Sequence, residues 1–362
     1  MSSFNAPRVP RSYLPHTLAV LYAVAIAYAS LQPFGPWIAP VPGTPFWPFA
    51  PWPRWTRFDV AANVLAYVPL GVFVALMPRR APPMTRAWLA LAAGLTLSFA
   101  TETLQWFLPS RAASLVDLAA NGVGALAGGL AAGMLVRSDG TKRMVVGIRH
   151  GLFLPGTIGD IGVALLALWL VAQANPGIPL FATTYDPARE PVAAAATVDF
   201  AAALLEAAES ALQMLGVGLF VALLVRERRH VGAAVVALIV AALLLKGGAA
   251  AVMLKPAVWE GWLRPGLSTG VAAGALLLLF AIALPRPAMI AVCAVALLSS
   301  VGVPLFATDL VGASAPLTLF NWRYGHLLNF NGLTRTVMLV WPLAAASWLF
   351  ALAGRPAWGR AD

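Results

Sequence analysis

Long apolar runs, broken by short polar or Pro/Gly-rich segments, set the pattern of this chain from end to end. A helix that crosses a hydrocarbon core needs roughly 20 consecutive apolar residues. Runs of that kind lie near 14–32, 60–77, 87–108, 113–136, 157–174, 200–225, 231–254, 266–284, 288–306 and 333–353. The pattern predicts an all-α polytopic membrane protein of about ten transmembrane helices. The first run is not followed by a small-residue cleavage site, so it reads as a retained helix and not a signal peptide.

Composition agrees with this reading. Of 362 residues 60% are hydrophobic and 10% charged, against about 25% charged in an ordinary soluble domain. A soluble enzyme, a repeat solenoid and a disordered chain are excluded. The net charge of +10 is the cationic excess expected of inner loops in a membrane protein, so nucleic acid is not an expected partner. With the N-terminus inside, fifteen of the 24 Lys and Arg residues fall on inner segments, eight on outer segments and one, Lys246, within a run. That bias predicts a multi-pass membrane protein with both termini cytoplasmic. The single cysteine, Cys293, sits inside an apolar run. It offers no intramolecular disulfide and no cysteine metal site, and no cofactor or metal is expected.

Self-similarity divides the chain. Leu14-Pro15-His16-Thr17 opens the first run and Leu154-Pro155-Gly156-Thr157 the fifth, while Gly71-Val72-Phe73-Val74-Ala75-Leu76 closes the second and Gly218-Leu219-Phe220-Val221-Ala222-Leu223 the sixth. The offsets, 140 and 147, agree within a loop insertion. Both copies start on the same side, which predicts a parallel internal repeat in a 4+4+2 arrangement. The expected parts are a four-helix domain over 1–138, a degenerate four-helix repeat over 139–285, and two closing helices over 286–362.

Ionisable side chains inside a membrane are costly, so each is a candidate for function. The first four runs concentrate them at their outer ends. Asp59 and Asn63 are four apart, Glu102 and Gln105 three apart, and Ser114, Asp117 and Asn121 descend the fourth run at spacings of three and four. Each spacing gives one helix one polar face. Arg111, in the turn before the fourth run, is the cation beside three acids. Two readings are open for the cluster. One is a buried ion network that fixes helix register. The other is a pocket for a polar headgroup, with Arg111 on phosphate and the carboxylates on hydroxyls. Paired carboxylates can also act as acid and base, but His16, His150, His230 and His326 are scattered and no nucleophile motif accompanies them. A divalent site on Asp59, Glu102 and Asp117 is opposed by Arg111. In the second copy Glu206 and Ser210 replace Asp59 and Asn63, and Glu206 or Glu209 is expected to pair with Lys246. The first outer loop, Pro33 to Phe58, carries Trp37, Trp47, Trp52 and Trp55 and reads as an aromatic belt, with a platform for stacking a sugar or lipid headgroup as the alternative. The outer segment Phe320 to Arg335 reads as an interfacial turn, with a substrate lid as the alternative.

Phe58-Asp59, Asn63, Pro69-Leu70-Gly71, Glu102-Thr103-Leu104-Gln105, Arg111, Ser114, Asp117, Asn121 and Gly124 together resemble the VanZ-like membrane family over about the first 137 residues. The resemblance implies a small helical domain in a bacterial inner or plasma membrane and a link to low-level resistance to the glycopeptide antibiotic teicoplanin, with no settled biochemical activity. The expected function is a non-enzymatic envelope protein. It binds a membrane lipid or lipid-linked saccharide at the outer leaflet through Asp59, Asn63, Glu102, Gln105, Arg111, Ser114, Asp117 and Asn121. A transporter or flippase of an envelope precursor is the alternative, and an enzyme acting on lipid-linked sugar comes third.

Overall fold

The computed structural model of the protein describes residues 12–50, 55–78, 80–181, 200–260, 262–263, 266–306 and 326–355. Trp52 and the segment Phe320–Gly325 lie outside them. The described chain is helical, with no named strand among its residues. It divides into two compact units, one of Ser12–Arg149 with Leu328–Leu333 and the other of the remainder.

The first unit contains α1 (Leu14–Leu31), α2 (Arg57–Leu76), α3 (Pro83–Gln105), α4 (Leu115–Leu135) and most of α5 (Asp139–Leu152). Its tightest packing is glycine against backbone. A Cβ at Gly124 or Gly128 of α4 would run into the carbonyl oxygen of Val64 or Val68 of α2, and one at Gly71 of α2 into that of Ala125. Without side chains at these positions the two helices run parallel with backbones in contact, the small-residue packing by which membrane helices associate. α3 lies antiparallel against α4, with Gly94 on Ala125 and Gly129 on Ala87 and Ala90. α1 packs on α2 and α3.

The second unit contains α6 (Gly156–Gln173), α7 (Phe200–Leu224), α8 (Val231–Met253), α9 (Leu267–Ala281), α10 (Arg286–Phe306) and most of α11 (His326–Ala353). Here too glycines bring a parallel pair together. Gly266, Gly270 and Gly274, at the start and along the face of α9, stand over the carbonyl oxygens of Ala203, Ala207 and Ala211 of α7. Trp169, Phe220, Trp341 and Trp348 form the aromatic centre of this unit. The indole N–H of Trp341 donates to the Leu165 carbonyl at 2.7 Å and that of Trp348 to Ile158 at 2.7 Å, which sets α11 antiparallel to α6. Lys246 does not pair with Glu206 or Glu209 as expected. Its fully buried ammonium donates to the backbone carbonyls of Asn175 at 2.8 Å and Ile178 at 2.7 Å. The chain just beyond α6 presents carbonyls that no helix ladder satisfies, and these meet the lysine first.

Eight described helices are long and apolar enough to cross a membrane: α1 to α4, α6 to α8 and α11. Two further apolar stretches, Leu267–Ala281 and Arg286–Gly302, are shorter. Residues 139–152, expected as part of a basic inner loop, form the amphipathic helix α5. Several cations counted in the charge bias also cap helices. Arg86 donates to the carbonyls of Ala75 at 2.5 Å and Ala81 at 2.9 Å, closing the end of α2, and Arg286 donates to Leu352 at 3.1 Å at the end of α11. A guanidinium on the last carbonyls of a helix satisfies orphan acceptors and faces the negative end of its dipole.

Candidate functional site

Local sequence places each polar residue before any tertiary contact does. Thr56 and Asp59 form a reciprocal capping box at the start of α2: the Asp59 carboxylate accepts from the Thr56 N–H at 2.9 Å and hydroxyl at 2.8 Å, and the Thr56 hydroxyl accepts from the Asp59 N–H at 3.2 Å. Ser114 is the N-cap of α4, its hydroxyl accepting from the N–H groups of Val116 at 3.1 Å and Asp117 at 3.4 Å. Such caps satisfy amide donors that a helix start leaves open.

Tertiary packing then joins three helices around the start of α4. Glu102 of α3, 4% exposed, accepts the backbone N–H of Ser114 at 2.8 Å. Asn63 of α2 donates to the Asp117 carboxylate at 2.6 Å. One turn deeper, Asn121 donates to the Ser98 hydroxyl of α3 at 2.9 Å. Glu102 also interacts electrostatically with Asp117 and Arg111. Two acidic side chains, Glu102 and Asp117, thus stand at the positive end of α4, where its dipole favours oxygen acceptors.

Arg111 and Gln105 turn the other way. The Arg111 guanidinium donates to the carbonyls of Gln32, at 2.5 and 3.0 Å, and Ala29, at 3.4 Å, while the Gln105 amide donates to Ser30 at 2.9 Å. Together they close the end of α1. Burial pushes the Arg111 guanidinium below its ordinary range, and the Glu102 carboxylate opposes that shift. Expected on phosphate, Arg111 here gives these bonds to backbone carbonyls, because α1 ends beside it with acceptors unsatisfied. The eight predicted residues thus fall into three groups: Asp59 in its own cap, Gln105 and Arg111 on α1, and Asn63, Glu102, Ser114, Asp117 and Asn121 around the start of α4.

Residues 13–136 match the VanZ-LLP1 family model, described as VanZ/LLP1. Neither a curated protein nor a solved structure matches the chain.

Within this VanZ-like segment the structure adds residues that the sequence pattern passed over. Tyr67, Ser98 and Thr101 are buried beside the named ones. Their signal was present, since Asn63 to Tyr67 is one further turn and Ser98, Thr101, Glu102 and Gln105 continue one face of α3. Asn121 Oδ1 is buried with no hydrogen-bond partner among the described residues, and the Tyr67 hydroxyl lies within reach of Ser98 and Thr101. The VanZ-like segment thus has interhelix hydrogen bonds around the start of α4 and an unused amide oxygen below them. Among the described residues no group of three His, Cys, Asp or Glu is arranged to hold a metal ion.

The aromatic loop before α2 does more than line a membrane surface. Trp47 is 2% exposed, packs on Phe46 and Phe99, and donates its indole N–H to Thr103 at 3.3 Å. Trp37 and Trp55 are half or more exposed.

Proposed function

We propose that the protein is a bacterial cell-membrane protein whose VanZ-like segment binds a hydroxyl-bearing headgroup, that of a lipid or lipid-linked glycan, from the outer leaflet. The role is binding without catalysis. Its consequence is a change in cell-envelope properties, including access of glycopeptide antibiotics of the teicoplanin type.

One observation carries the reading: Asn121 Oδ1 is buried and unpartnered among the described residues, one turn below Asp117 and beside Ser98 and Tyr67. A network that served register alone would satisfy its members, because each unpaired polar atom in hydrocarbon is costly. The chemistry on offer is acceptor-rich, with two carboxylates and a free amide oxygen. Arg111, its guanidinium on the carbonyls of α1, does not lead with phosphate. Hydroxyl groups fit such a set. A flippase would extend polar groups toward the opposite end of the bundle. Beyond Asn121 the facing positions are Gly94, Ala125 and Gly128, which favours binding over transport.

The ten-crossing, 4+4+2 reading also belongs here. The parallel pair α2 and α4, with Gly124 and Gly128 on α2 carbonyls, has its counterpart in α7 and α9, with Gly270 and Gly274 on α7 carbonyls. The likeness supports a duplicated unit in which α9 and α10 complete ten crossings.

Native mass spectrometry of the protein purified from its own membranes tests the binding. The expected result is a co-purifying lipid or lipid-linked saccharide that is lost from Asp117→Asn and Asn121→Leu variants that still accumulate. Retention of the same species by both variants overturns the reading.

A further inference from the structure

α5 joins the end of α4 at Leu135 to the start of α6 at Gly156. Its 14 residues rise only about 21 Å, short of the roughly 30 Å of a hydrocarbon core. Helical periodicity sets Met144 and Ile148 one turn apart on one face, with Asp139, Arg143 and His150 on the opposite side. Met144 is 61% and Ile148 52% exposed, and a Cβ at Gly147 would meet nothing within 4 Å. The flanking charge is cationic: Arg137, Lys142 and Arg143 stand against Asp139 within seven residues. Arg137 and Arg143 are exposed.

Met144 and Ile148 in the open on one face, beside cations, on a segment held between two helices of membrane-spanning length, name the surface that covers them; a third exposed apolar side chain, Val146, falls on the other side. We propose that α5 lies in the membrane–water interface and docks on anionic phospholipid. Met144 and Ile148 enter among the acyl-chain ends, and the cations at the start of the helix stand over headgroup phosphates. An amphipathic helix with basic flanks binds by this combination of apolar burial and surface charge. Gly140, Gly147 and Gly151 make α5 a poor helix in water, so contact with the bilayer orders it. The surface is separate from the headgroup site above. α5 follows the end of α4, about 27 Å along that helix from Asp117.

The test uses the full-length protein in nanodiscs of phosphatidylcholine alone or with about 30% phosphatidylglycerol, the anionic component to which such segments respond. A Met144→Cys variant carries an environment-sensitive fluorophore; Cys293 is fully buried, and the unsubstituted protein is the labelling control. With phosphatidylglycerol the expected result is a blue-shifted emission, iodide quenching reduced about threefold, and quenching by a shallow lipid nitroxide. Each cation at an anionic surface contributes about fivefold to association. Arg137→Glu with Arg143→Glu, or 1 M salt, which cuts the Debye length to about 3 Å, therefore restores iodide access. An Ile148→Cys label gives the same result if position 144 alone perturbs the helix. Equal iodide access in both lipid mixtures overturns the proposal. So does protection from iodide and from the lipid nitroxide together, which would mean that protein covers this face.

Discussion

Asn63 of α2 and Asp117 of α4 meet in a 2.6 Å hydrogen bond across 54 residues of sequence. It joins two parallel helices at the level where Glu102 of α3 caps the start of α4. The amide is the donor and the carboxylate the acceptor, so replacing Asn63 removes a charge-assisted bond worth about 1.5 to 3 kcal/mol.

Asn63→Ala is therefore expected to lower unfolding stability in detergent by about 1 to 3 kcal/mol. Combined with Asp117→Ala it should show a coupling of at least about 0.5 kcal/mol, as contacting pairs do. Thermal unfolding of the two single variants and the double variant measures this. Strict additivity would show that the contact contributes nothing.

The glycine contacts give a sharper contrast. A Cβ at Gly128 meets the Val68 carbonyl, which is backbone and cannot rotate away, whereas a Cβ at Gly147 of α5 meets nothing. Gly128→Ala should separate α2 from α4 and cut accumulation severely, at an overpacking cost of about 1 to 3 kcal/mol or more. Gly147→Ala should leave accumulation unchanged or raise stability by about 0.5 to 1 kcal/mol through helix propensity. If α7 and α9 repeat the arrangement of α2 and α4, Gly270→Ala will match Gly128→Ala in direction. Quantitative immunoblots of membranes with thermal unfolding decide it.

Apolar length made most of the helices legible in the sequence. The run at 60–77 became α2, Arg57–Leu76, and the run at 113–136 became α4, Leu115–Leu135. α3 starts at Pro83, ahead of its apolar run, because proline suits the first helical turn. α5 was not legible as a helix: with three glycines and a run of charges in 14 residues it gives no crossing signal. Spacing also found the polar faces but not their partners. The carbonyls that occupy Arg111 and Gln105 belong to backbone 75 or more residues away. Side-chain pattern carries no information about which helix will end beside an arginine. Gly124 stands out in the sequence only as a motif position and Gly128 not at all, although their spacing of four is what lets two backbones touch.

Arg111 supports a prediction with a definite sign. Burial lowers its proton affinity while Glu102 raises it, but arginine starts above about 12 and stays charged throughout the working range. No dependence of stability on pH from this group is expected for the natural protein between about pH 6 and 9. A lysine placed there by Arg111→Lys starts from about 10.4, and the same burial depresses it. The unfolded chain then binds more protons than the folded one between the depressed value and about 10.4, so stability rises with pH across that window. The variant should also lose part of its hold on the end of α1, because an ammonium cannot reproduce the planar fork that reaches Ala29 and Gln32. Unfolding temperatures at a series of pH values test this. A flat profile in both proteins would mean that position 111 is better solvated than its burial implies.

The orientation of the chain follows from parity as well as charge. If each of the eight described helices long and apolar enough to cross does so, the number of crossings is even, and α9 and α10 as a pair leave it even. α9, at 15 residues, rises about 22 Å and crosses only where the bilayer thins or the helix end is protein-covered. A failure of α9 alone would flip the C-terminus outward, and a failure of the pair would not. If the N-terminus is inside, as the cationic bias predicts, a fluorescent protein fused after Asp362 should be bright and a periplasm-active phosphatase fused there inactive. An Ala112→Cys variant, at an exposed position in the turn before α4, should react with an impermeant thiol reagent added to intact cells, whereas Ser138→Cys, at an exposed position just after α4, should react only after permeabilisation. Strong phosphatase activity at the C-terminus would mean an odd number of crossings, with α9 the helix that fails. Labelling of position 138 from outside would invert the chain and move the Glu102 and Asp117 site to the cytoplasmic leaflet.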